Sequence, residues 1–138
     1  MNLTARTSSV IAGTAIALML LTGCAGGQSK LEACTILKDG LLEVNTALSD
    51  SVGDLQADPE AAAAGMKSAA DDFETAVAKI TNADVKGPAT AAAGSITDFS
   101  DAIGDYAADP ENADINAVSD SASAVADAVT PLQKTCSA

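Results

Sequence analysis

Apolar residues recur every three or four positions from residue 34 to the end of the chain, the pattern of helices with one buried face. The first stripe runs through Cys34, Leu37, Leu41, Val44, Leu48, Val52 and Leu55. A second carries Ala62, Met66, Ala69, Phe73, Val77 and Ile80, and a third Ala89, Ala92, Ile96, Phe99, Ile103 and Tyr106. The fourth carries Ile115, Val118, Ala122, Val125, Val129, Leu132 and Cys136. Start signals stand between the stripes. Ser29-Lys30-Leu31-Glu32 has the form of a capping box, in which the serine accepts from the third helical amide while the glutamate reaches back. Asp58-Pro59-Glu60 combines an N-cap, a first-position proline and an acid at the positive end of the helix dipole. The same triplet returns at Asp109-Pro110-Glu111 and is expected to cap the fourth helix. Residues 81–87 are expected to form a turn, with Pro88 opening the third helix. Pro131 either kinks the fourth helix or ends it near Thr130, and the pattern leaves both outcomes open.

The turn between the first two helices has a counterpart. Residues 49–60 read SDSVGDLQADPE and residues 100–111 read SDAIGDYAADPE, identical at eight of twelve positions at an offset of 51. With one inserted residue the apolar phase also continues, pairing Met66 with Val118, Phe73 with Val125 and Val77 with Val129. This is the mark of two duplicated helical hairpins. The expected class is all-α: an antiparallel, up-down-up-down four-helix bundle. That topology sets the start of the first helix beside the end of the last. Cys34 and Cys136 fall at those places and are expected to pair as a disulfide, with two free thiols as the alternative.

Ahead of the stripes lies a different kind of segment. Arg6 precedes an apolar run over residues 10–21, softened by Gly13 and Thr14. As a helix this run spans roughly 18 Å, short of the roughly 30 Å hydrocarbon core, so it suits an export leader better than a membrane span. Leu21-Thr22-Gly23-Cys24 comes next and resembles the lipobox of bacterial lipoproteins at all four positions. The resemblance implies that the leader is removed and that Cys24 becomes a diacylglyceryl-modified first residue. It covers residues 1–24 alone and implies nothing about the later domain. The expected division is therefore a signal segment over 1–23, a lipidated cysteine and short flexible tether over 24–28, and the bundle over 29–138.

Composition narrows the picture. Tyr106, Phe73 and Phe99 are the aromatic residues, tryptophan is absent, and alanine dominates the apolar positions. The core must therefore form by close helix contact, and alanine has the best helix propensity. The abundance of alanine, aspartate and threonine resembles that of proteins from high-GC Gram-positive bacteria. Nineteen acidic residues all lie beyond Cys24, and Arg6 leaves with the leader, so six lysines against nineteen acids leave the processed chain at −13. Such a charge repels phosphate backbones, which argues against nucleic acid, and disfavours lying flat on anionic lipid. Attachment to the bilayer is expected through the acyl anchor.

Histidine is absent, which removes Ser-His and Cys-His nucleophile pairs, c-type haem attachment and the Glu-x-x-His motif of di-iron bundles. No Gly-rich phosphate loop is present. The expected protein is not an enzyme and carries no cofactor and no resident metal. Asp50, Asp54 and Asp58 recur every four residues, and Asp101, Asp105 and Asp109 repeat them. Like charges so spaced repel, and four of the six stand near helix C-termini, the unfavourable end of the dipole. These six form a candidate acidic tip for Ca²⁺ or for a basic protein surface; the bland alternative is two caps and four solvated charges. The sequence reads as a cell-membrane lipoprotein, anchored on the extracytoplasmic face, acting as a non-enzymatic interaction or structural module. A carrier of a small molecule or cation is the alternative.

Overall fold

A computed structural model describes residues 27–138, and among these the chain is helical with no strand. The helices are α1 (Lys30–Asp54), α2 (Pro59–Ala78), α3 (Ala83–Ala108) and α4 (Ile115–Ser137). Each packs against its neighbour in the chain, giving a helical bundle, whereas α1 and α4 touch only sparsely.

The first two starts obey the expected chemistry. Glu32 N donates to Ser29 Oγ at 3.2 Å and Ser29 N donates to Glu32 Oε2 at 3.4 Å, closing the capping box. Asp58 Oδ1 accepts from Ala61 N at 3.0 Å, with Pro59 as the first helical residue.

The next two starts differ. Helix α3 begins five residues before Pro88, which lies inside it. Asn82 Oδ1 accepts from Asp84 N at 3.1 Å and Val85 N at 3.2 Å, satisfying two of the amides that a helix start leaves orphaned. Burial of Val85 and Ala89, both 0% exposed, draws this first turn into the core. Cap and burial together outweigh the single backbone bond the proline removes. Asp109 likewise does not cap α4; it is the C-cap of α3. Its carboxylate accepts from Asn112 Nδ2 at 3.1 Å, and α4 waits for Asp114, whose Oδ1 accepts from Asn116 N at 2.9 Å. The cause lies in the residues downstream of each Asp-Pro-Glu. After Glu60 come four alanines, whereas after Glu111 come Asn112, Ala113 and Asp114. Asn and Asp compete for the backbone and favour turns over helix interiors.

Helix α4 continues through Pro131 to Ser137. Leu132, 0% exposed, and the bonded Cys136 hold the residues beyond the proline against the body.

The core lies mainly between α2 and α3. Phe73, Met66, Ile96, Phe99 and Ile103 are almost fully buried, with Ala69, Ala70, Ala92 and Ala93 letting the two helices approach. Gly40 of α1 serves the same closeness: a Cβ there would stand 3.1 Å from Phe73 Cδ2.

Candidate functional site

The six aspartates of the candidate acidic tip are all exposed. Asp101, Asp105 and Asp109 line a shallow depression of about 450 Å³ on the α3–α4 side, with Tyr106 and Asn112. Asp50, Asp54 and Asp58 do not line it. Lys67 shares the adjoining hollow with Asp101 and Asp105. Asp58 and Asp109 are engaged locally, on Ala61 N and on Asn112 Nδ2. Among the described residues no three His, Cys, Asp or Glu side chains are grouped so as to hold a metal ion.

The feature that sets one face apart is the seam between α1 and α4. On α1 the fully buried positions include Leu37, Val44 and Ser51, seven residues apart; on α4 they are Val118, Val125 and Leu132, again seven apart. The second half of each stripe, Leu41 and Leu48 on α1 with Ala122 and Val129 on α4, is only half-buried. These side chains line a groove whose middle section holds about 330 Å³. The groove continues at one end past Leu41 and Gln133 to Leu31, Leu42 and the cysteine pair. At the other end it runs past Ala122 to Val52, Leu55 and Ile115, with Phe99 and Ile103 of α3 beneath.

Periodicity places Val52 within the buried stripe, and the structure overturns this: it is 74% exposed, and Ser51 takes the inward position, donating its hydroxyl to Ala62 O at 3.4 Å. A buried hydroxyl needs such a partner. Ile103, aligned with Val52 in the repeated segment, is 1% exposed. Matching sequence positions thus occupy unlike environments.

Four large apolar side chains among the described residues are exposed: Leu31 at 79%, Val52 at 74%, Leu42 at 60% and Ile115 at 50%. All four line the α1–α4 groove. Single exposed leucines are ordinary, but four large apolar side chains along one groove form an exposed apolar patch. The groove also carries no acid. None of its lining residues is acidic, and Lys38 is the charged side chain on it. In a chain with nineteen acids this is the opposite of the depression on the α3–α4 side.

Two ties hold the end of the seam near the chain's first described residues. Cys34 and Cys136 are bonded, with Cα atoms 5.5 Å apart. Gln28 clasps the α2–α3 connection: its Oε1 accepts from Thr81 N at 2.9 Å, its Nε2 donates to Lys79 O at 3.2 Å, and its carbonyl accepts from Asn82 Nδ2 at 3.0 Å. The flexible tether expected over 24–28 is therefore fixed at its last residue. Cys24, the expected lipidation site, lies outside the described residues, as does the leader.

Sequence reading missed Leu31, Leu42 and Gln28 as site residues. A signal for the leucines was available: they lie off the main stripe and eleven residues apart, close to three helical turns, so they share a face. No local signal marks Gln28, whose partners lie more than fifty positions away. No family model matches the chain, and neither a curated protein nor a solved structure matches it.

Proposed function

We propose that this chain is a membrane-tethered, non-enzymatic interaction module whose working face is the α1–α4 seam. The leader over 1–23 is removed, Cys24 carries the lipid, and the body stands on the extracytoplasmic face. The lipobox-like Leu21-Thr22-Gly23-Cys24 supports the address, and the cysteine pair suits an oxidising compartment. With Gln28 held by the body, the four residues from Cys24 onward reach at most about 14 Å, so the bundle stays close to its bilayer. Its helices alternate in direction, up-down-up-down, and descend from one duplicated hairpin. The groove's order of lining residues supports the first point, since Leu31 shares its hollow with Cys136 and Val52 shares another with Ile115. The matched segments 49–60 and 100–111 support the second.

The observation that carries the function is the clustering of the four large apolar side chains exposed among the described residues on an acid-free groove of an acidic body. The non-enzymatic reading rests on the sequence, which has no histidine to activate a serine or cysteine nucleophile. Ser51 and Ser100 are the buried polar side chains among the described residues, and the Ser51 hydroxyl is already engaged on Ala62 O. A second reading, a carrier of a small apolar molecule, draws on the middle of the groove, whose 330 Å³ lies at the low end for ligand pockets.

Photoreactive residues placed at Leu42 and, separately, at Asp72 on the exposed face of α2 test the proposal in living cells. A discrete protein adduct from position 42 and none from 72 is expected. Equal adducts from both, or none from 42, would overturn the seam as the working face. Intact mass of the purified native protein tests the address, with a diacyl-modified Cys24 as the expected first residue and an unmodified one as the contrary result.

A further inference from the structure

We infer that the α1–α4 seam takes an amphipathic helix with cationic flanks from a partner protein, an inference that rests on the seam being the working face. Length is the first argument. From Leu31 to Val52 the exposed apolar positions on α1 span about 32 Å at about 1.5 Å per residue. A small molecule seated at the half-buried middle would leave Leu31 and Val52, 79% and 74% exposed, in water. A helix of roughly twenty residues reaches both, with apolar side chains at i, i+3, i+4 and i+7 set into the groove.

Charge selects which helix. Asp39 stands one turn from Leu42 on α1, and Asp127 one turn from Thr130 on α4, so each is a surface neighbour of a groove-lining residue. Both are exposed, and Asp50 and Asp120 carry the same banks further along. The groove is therefore a channel free of acids, with Lys38 as its charged lining residue, between acidic banks. Lys38 on the groove and Lys134, one turn from Thr130, are the nearby cations. Neither forms an ion pair, the one pair among the described residues being Lys67–Asp71 at 3.2 Å on another face. The four aspartates outnumber the two lysines. Lysine or arginine on the flanks of the incoming helix would meet Asp39 and Asp127 while its apolar ridge fills the seam. A second copy of this chain would instead bring another strongly acidic body against the first.

The test uses the full disulfide-bonded chain and two synthetic helical peptides of twenty residues. They share a leucine ridge and differ in lysine or glutamate on the flanks. The lysine peptide is expected to bind at least tenfold tighter than its glutamate twin, and less tightly as salt rises. Leu42→Asp decides between seating and mere attraction, because it adds a negative charge. Simple attraction would strengthen binding, whereas seating in the groove predicts a loss of tenfold or more. Val52→Asp should act likewise. Both side chains are exposed, and circular dichroism checks that the variants remain folded. Equal binding of the two peptides, no binding of either, or unchanged binding by Leu42→Asp overturns the cationic helix. A concentration-dependent dimer in sedimentation, lost in Leu42→Asp, also overturns it and gives the seam to a second copy. Those outcomes leave the seam standing as a working face; the loss of in-cell adducts from position 42 is what removes the seam itself.

Discussion

Helices α2 and α3 bury two lines of side chains each, whereas α1 and α4 bury little more than one. On α2 the buried set Ala62, Met66, Ala69, Ala70, Phe73 and Val77 steps by threes and fours, as a helix flanked on both sides requires. On α4 the set Val118, Val125 and Leu132 steps by sevens, as a helix covered on one side requires. Yet the stripes read from sequence are equally apolar in all four helices. The chain thus supplies Leu41, Leu48, Ala122 and Val129 for a contact that its own fold leaves mostly open. Inner and outer pairs differ in how many neighbours cover them, and the outer pair is left with surplus apolar surface.

The contrast can be broken at several points. Replacing Cys34 and Cys136 with serine has the largest expected effect. The bond spans a separation of 102 residues, and the chain-entropy model gives about 4–5 kcal/mol for such a loop. The loss should appear as a lower urea midpoint; a negligible shift would mean that α1 and α4 hold together without the bond. Phe99→Ala should cost about 3–5 kcal/mol by leaving a cavity in the inner pair, read from the same denaturation curves. Asn82→Ala removes the cap of α3 and a hydrogen bond to Gln28, for about 1–2 kcal/mol. Smallest is Leu42→Ser, which should stay within about 0.5 kcal/mol of the parent. A large loss there would mean that Leu42 already packs within the bundle, and the contrast between inner and outer pairs would weaken.

Local chemistry made the starts of α1 and α2 legible in the sequence, and the expected topology did the same for the pairing of the cysteines. Ser29 with Glu32, and Asp58 with Pro59, act on amides within a turn, so three or four residues suffice to read them. The start of α3 was hidden because Pro88 is a strong local signal; the Asn82 cap that competes with it is local too, but the burial of Val85 that tips the balance is made by distant parts of the chain. The start of α4 was hidden because Asp109-Pro110-Glu111 copies a true cap, and only the residues after it redirect the backbone. Periodicity placed Leu41 and Leu48 on an apolar face but is blind to whether a neighbour covers that face. The candidate acidic tip shows the same limit from the polar side: the even spacing of the aspartates was real, yet Asp101, Asp105 and Asp109 line one depression that Asp50, Asp54 and Asp58 do not line.

Carbene footprinting of the chain, first purified and then in living cells, tests the central claim most directly. Purified, Leu31, Leu42, Val52 and Ile115 should label heavily, since each is at least half exposed. In cells, if the proposed partner covers the seam, labelling at these four should fall while Asp72 and Glu74 on α2 stay unchanged. Labelling of the seam that is the same in both settings would contradict the account.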